Sequence, residues 1–284
     1  MTHEMRPLIT RYANARLVDA WDEAFSGLTL NAFERLAVTA GIEEYRRLLR
    51  RRDELDALRD PMTRSVGTSF GWQIPTTGQQ HDLYDSTKSY FDTFYSSLSH
   101  LSSVVARFSS IFQRNFSDNA SLIKWIPKRW PSFSHGAIQD LERARLFRAL
   151  LNHPQQFPVH NWNTACFPGN EHVHVVLFGP KGRGKNPIPR GAETDHPLAD
   201  VMPDWQFDAP DEVSVTNSVG NLAIQILTDV IEGLTQRSSF HANTSQVQVF
   251  RKLVPETIDQ SAASRAIRSE IFKPGNDPAP RMDL

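Results

Sequence analysis

IQDLERARLFRALLNHPQQFPVHNW, residues 138–162, decides how the rest of the chain is read. Leu141, Ala144, Arg148 and Leu151 follow one another at intervals of three, four and three, so one helical face carries all four. A guanidinium on a core-facing stripe must snorkel, find a partner or work in a cleft. Pro154 disfavours the α-region for His153 and removes the next backbone donor, so the helix is expected to end at His153. Arg148 and His153 then spell R-x-x-x-x-H at a helix C-terminus. On an ideal helix, residues five apart diverge by about 140° at ~100° per residue. Fraying of the last turn is what would swing the imidazole back toward Arg148.

Working outward, a second long amphipathic segment precedes this one. Tyr84, Thr87, Phe91, Phe94, Leu98, Leu101, Val105, Phe108 and Phe112 recur at three or four, which predicts a helix over 81–116 with an aromatic and aliphatic stripe. At helical spacing such a stripe is core before it is a base-stacking surface. A third apolar series, Val219, Leu222, Ile226, Leu227, Val230 and Leu234, predicts a helix over about 214–236. Residues 8–60 read as helical, with Asn31 as a cap and Glu34 as its reciprocal partner, and Pro61 closing the segment. Within it, Arg46, Arg47, Arg50, Arg51 and Arg52 form a basic run among acids that reads as a solvated face, with Leu48, Leu49, Leu55 and Leu58 on the apolar side. WIPKRWP, residues 125–131, breaks the helical pattern.

The remaining stretches are short strands and loops. QQFPVHNW, residues 155–162, is extended, and Glu171 to Phe178 reads as a strand by its valines. Residues 62–80 and 179–212 read as loops, the latter long and irregular. Ser245 to Leu253 alternates like a short strand, Pro255 to Glu270 carries a possible last helix, and the tail from Lys273 reads as disordered. The expected fold is mainly α: a bundle of the helices at 81–116, 138–153 and 214–236, with a small β-hairpin excursion and an irregular loop after His153. Residues 1–62 form an N-terminal helical segment on a core spanning 81–236, and 237–284 form a C-terminal extension.

With 284 residues, 39% hydrophobic and 22% charged, the composition is that of an ordinary globular protein. A formal charge of −1 gives no global attraction to nucleic acid or to a membrane surface, so any such contact is local. Cys166 is the one cysteine, which rules out an internal disulfide and a multi-thiolate zinc site and points to a reducing cytoplasm. No apolar run approaches ~20 residues, and residues 1–10 carry no signal-peptide pattern.

Several constellations compete for the chemistry. GPKGRGKN, residues 179–186, satisfies G-x-x-x-x-G-K after a strand, but Asn186 and Pro187 follow where a phosphate cradle needs Ser or Thr and a helix start. Lys181, Arg183 and Lys185 therefore read as a basic loop for substrate phosphates rather than an NTPase site, with a plain solvated hairpin loop explaining them equally well. His160 joins them as a substrate contact. His172 and His174 alternate along a strand and could hold a divalent metal with His153 or His160, although polar pleat-face histidines explain the spacing equally well. No cofactor or metal signature is otherwise present. Cys166 has no charged neighbour and no G-x-S-x-G occurs, so a serine or cysteine nucleophile is unsupported.

The order of elements around RALLNHPQQFPVHNW resembles the HEPN superfamily: helical bundles whose R-x(4–6)-H motif ends the third core helix. Many pair as dimers that join two motifs in one cleft, acting as metal-independent ribonucleases in toxin–antitoxin, abortive-infection and other antiviral systems. The resemblance covers residues 81–236 by order of elements and Arg148 and His153 by motif. It implies that Arg148 stabilises phosphate charge, that His153 is the acid or base, and that the protein is a homodimer acting on RNA with an antitoxin or defence partner. Active members often carry Asn directly after the arginine. Ala149 stands here, and Asn152 is the nearby hydrogen-bonding group. A non-catalytic nucleotide-binding or interaction module is the second expectation, and a metal enzyme built on His172 and His174 the third.

Overall fold

In the computed structural model, residues 25, 29–66, 77–153, 161–165, 173–180, 188–192 and 205–237 are described. Among them lie six helices and three strands. The helices are α1 (Ala32–Val66), α2 (Thr77–Arg107), α3 (Ser109–Phe112), α4 (Asn119–Arg129), α5 (His135–Asn152) and α6 (Glu212–Arg237). The strands are β1 (Asn161–Ala165), β2 (His174–Gly179) and β3 (Trp205–Asp208). The expected mainly α fold with a small β excursion is the one observed. The chain divides into two compact units, residues 30–226 and residues 1–29 with 227–284, and everything below concerns the first. Among the described residues, no helix is long and apolar enough to cross a membrane.

α1 starts where the capping pair was read. The Asn31 side chain accepts from the N–H groups of Phe33 and Glu34 at 3.0 and 2.9 Å, and Glu34 accepts from the Asn31 N–H at 2.9 Å. The helix then runs through Pro61 instead of ending there. Proline removes one hydrogen bond, and tertiary contacts past it outweigh that loss: Met62 is buried, and Thr63 accepts from the Val173 N–H at 3.2 Å. The buried stripe of α1 is Tyr45, Leu48, Arg52, Leu55, Arg59 and Met62, so two arginines occupy core positions and Leu58 faces out. The solvated-face expectation holds for Arg46, Arg47 and Arg51, which pair with Glu43, Glu44 and Glu54, and fails for Arg52.

α2 is the axis of the unit, packing against α1, α4, α5 and β2. Its predicted stripe is buried from Thr87 onward. The helix breaks at Phe108, and α3 ends at Gln113 in the left-handed conformation, so 81–116 is two helices rather than one. Four of its hydroxyls, on Thr93, Ser97, Ser99 and Ser103, donate to carbonyls four residues back at 2.9–3.1 Å. WIPKRWP does not interrupt the helical pattern but largely lies in α4, whose first turn is capped by Asp118 accepting from the Ser121 N–H at 2.7 Å. That bond holds the Asp118 carboxyl below its ordinary range.

The rings of Phe91, Phe147 and Phe207 join α2, α5 and β3 at centroid distances of 4.9 and 5.9 Å. The sheet is an antiparallel meander in the order β1-β2-β3, with Trp162 opposite Leu177 and Leu177 opposite Phe207. β3 falls in the stretch read as irregular loop: four residues among glycines and prolines are too few to show a period. Its Trp205 lies across Gly179, where an added Cβ would come within 2.0 Å of the indole. The first glycine of the phosphate-loop-like motif is thus required by packing against Trp205. Ser245–Leu253, Pro255–Glu270 and the tail lie outside the described residues.

Candidate active site

α5 is capped at its start by Ser134, which accepts from the Ala137 N–H at 3.4 Å. It stops where Pro154 requires, with His153 as C-cap in a non-helical conformation and its N–H still bonded to the Ala149 carbonyl at 2.8 Å. The buried face is Leu141, Ala144, Phe147, Leu150 and Leu151. Arg148 is not inside this stripe but on its margin, with its side chain 25% exposed.

That margin faces α2. Arg148 donates from Nε to Oδ1 of Asp92 at 2.9 Å, and its guanidinium carbon stands 4.4 Å from the centroid of the Tyr95 ring. Asn152 donates to the same Asp92 oxygen at 2.8 Å. The carboxylate therefore ties two residues of α5, one turn apart, to α2. Neither Nη group of Arg148 has a hydrogen-bond partner among the described residues, and Asp92 itself is 41% exposed. The result is a guanidinium fixed through its stem side and stacked on a ring, its side chain a quarter exposed and its two outer nitrogens without a hydrogen-bond partner among the described residues. Such a fork suits a phosphate or carboxylate.

The structure brings Arg148 and Asn152 together; it does not join Arg148 to His153. No hydrogen bond or ring contact connects them among the described residues, and His153 is exposed at the helix end. The divergence of residues five apart is preserved because the last turn stays helical through Asn152. Asp92 and Tyr95 were not anticipated. The signal was there in the i, i+4 spacing of Arg148 and Asn152, and in Tyr84, Lys88, Asp92 and Tyr95, a second α2 face beside the aromatic stripe.

His160, Lys181, Arg183, Lys185, Cys166 and His172 lie outside the described residues. His174 is buried at 5% exposure, its Nε2 3.9 Å from Oδ2 of Asp208 on β3, inside the sheet rather than at an open ligand position. Among the described residues no group of three or more His, Cys, Asp or Glu is placed to hold a metal ion.

A second arginine–carboxylate pair stands on the other side of α2. Arg59 Nη2 meets Glu212 Oε1 at 2.7 Å, with the side chains 4% and 2% exposed. Tyr90 donates to the Glu212 carbonyl and bonds Thr216 Oγ1, both at 2.9 Å. Burial pushes the Glu212 carboxyl above its ordinary range, against the pull of Arg59's charge and hydrogen bond. Sealed from solvent, this pair offers nothing to a ligand. No family model matches the chain, and neither a curated protein nor a solved structure is significantly similar to it.

Proposed function

We propose that the end of α5 is a ribonuclease site of the HEPN kind, in which Arg148 grips a phosphodiester and His153 moves its protons. The observation that carries this reading is the held Arg148 fork. Its Nε is bound to Asp92, its face is on Tyr95, and its outer nitrogens have no hydrogen-bond partner among the described residues, at the same helix end as an exposed imidazole. Fixed donors aimed at a phosphoryl group need no reorganisation as charge develops, which is where charge stabilisation is strongest. In the reaction the imidazole takes the proton of the ribose 2′-hydroxyl, and the 2′-oxygen attacks phosphorus. The bond to the 5′-oxygen breaks, and that oxygen takes a proton from a second imidazole. The products are a cyclic phosphate and a free 5′-hydroxyl. One chain supplies one R-x-x-x-x-H pair, so the second imidazole comes from a second copy, and the working form is a homodimer. A cytoplasmic toxin or antiviral role, with an inhibitor or defence partner, completes the proposal. Lys181, Arg183, Lys185 and His160 are its expected substrate contacts.

RNA digestion by wild type, Arg148→Ala and His153→Ala, with and without EDTA, tests it. Wild type cleaves in both conditions, and each substitution lowers the rate by about 10²–10⁴. Equal cleavage by wild type and His153→Ala ends the catalytic reading. No cleavage by any of them across several RNAs favours a binding module, the reading that Ala149 supports.

A further inference from the structure

The face of α2 that meets Arg148 continues toward the start of the helix. Tyr84, Lys88, Asp92 and Tyr95 stand at intervals of four, four and three, so they share one side. At its beginning, Tyr84 stacks on Trp162 of β1 with centroids 4.5 Å apart and planes 22° apart, and His81 meets the same indole edge-on at 5.2 Å. These rings differ from the core rings. Phe91, Phe94, Phe147 and Phe207 are fully buried, whereas Tyr84 and Trp162 are half-buried and His81 is exposed.

We infer that His81, Tyr84 and Trp162 form a stacking platform for unpaired bases of a single RNA strand whose phosphate is held at Arg148. The inference deepens the ribonuclease reading and rests on it for what lies at the far end of the face. Aromatic surface left half in water is the surface on which bases stack, because every base has a π-face. Lys88 lies one turn beyond Tyr84, with no hydrogen bond or ion pair among the described residues, placed for the backbone of a strand leaving the platform. From Tyr84 to Asp92 is eight residues, about 12 Å along the axis at ~1.5 Å per residue. That span separates a stacked base from a gripped phosphate by a few nucleotides, too far for a mononucleotide to bridge. Glu44, Arg47, Asp85, Lys88 and Asp92 line the open polar depression between α1 and α2, where Arg47 is held by Glu44 and Lys88 is the cation left for the backbone. A duplex, with its bases already stacked, gains nothing from the platform.

The test is the anisotropy of a labelled oligouridylate titrated with the full chain in a His153→Ala background, which binds without cutting. Trp162→Ala and Tyr84→Ser are expected to weaken binding by about tenfold to a hundredfold each. Trp162→Phe is expected to keep most of the affinity, and controls for folding if Trp162→Ala is unstable. An abasic oligomer of equal length binds weakly, and UMP displaces the oligomer poorly. Unchanged binding by Tyr84→Ser and by folded Trp162→Ala alongside tight abasic binding overturns the platform, as does wild type that binds no oligouridylate. UMP competing as well as the oligomer overturns the strand in favour of a mononucleotide. If RNA is never cut but the platform variants bind weakly, only the cleavage reading falls; if RNA is cut and the variants bind normally, only the platform falls.

Discussion

Two arginine–carboxylate pairs flank α2, and their geometries are nearly the same. Arg59 meets Glu212 at 2.7 Å and Arg148 meets Asp92 at 2.9 Å. They differ in what surrounds them. The first is closed in by α1, α2 and α6, its carboxylate residue anchored by Tyr90 and its side chains almost wholly out of water. The second keeps a quarter of its arginine and two-fifths of its aspartate side chain exposed. A sealed pair is cut off from solvent, with Arg59 Nε buried and without a hydrogen-bond partner among the described residues, and breaking the pair leaves a charge with no water to turn to. An open pair adds little to stability and keeps donors in reserve. Accessibility, more than distance, separates the structural arginine from the candidate catalytic one.

The most severe way to break the comparison is Glu212→Ala, which strands Arg59 in the core. Chemical denaturation is expected to show a loss of about 3–5 kcal/mol. A loss under 1 kcal/mol would mean that Asp56, 3.4 Å from Arg59, replaces Glu212 as its partner. Next comes Asp92→Ala at the open pair. It should change stability by no more than about 1 kcal/mol, yet lower kcat for RNA cleavage by up to about 10²-fold, because the Arg148 fork loses its anchor. RNA affinity should stay put, whereas a merely structural Asp92 would leave kcat unchanged. The smallest effect is on pH dependence. Since burial raises the folded-state pKa of Glu212, its contribution is fully present below the unfolded carboxylate value near ~4 and fades as pH rises through the raised folded value. Thermal melts across that range should show wild type losing stability relative to Glu212→Gln as pH rises. Parallel curves would show that Arg59 cancels the effect of burial.

Much of this was written in the sequence where a period was long enough to read. α2, α5 and α6 announced themselves through repeated apolar intervals, and the Asn31–Glu34 cap and Pro154 stop are local chemistry acting over a few residues. What escaped is non-local. Arg52 reads as a member of a solvated basic run, and no local signal announces the buried place of Arg59, because the partner that takes it inside lies 153 residues away. Pro61 and Pro127 read as helix ends, yet buried neighbours carry the helices through them. At the site, the motif residues were found and their holder was not: Asp92 lies 56 residues before Arg148, on a helix whose apolar stripe draws the eye to its other side.

The hydroxyls of Thr93, Ser97, Ser99 and Ser103 have a bearing on how freely this chain can vary. Each donates to a carbonyl of its own helix, and that carbonyl is also reached by the backbone N–H of the same turn. Replacing Thr93, Ser97 or Ser103 with alanine removes a donor together with its need for a partner, and orphans no group on a neighbouring element, whereas Ser99 also bonds the buried Asn119 side chain of α4. At those three positions α2 can therefore exchange serine, threonine and alanine without renegotiating its neighbours. Asp92 and Arg148, which satisfy one another across two helices, have no such latitude and must drift together or stay.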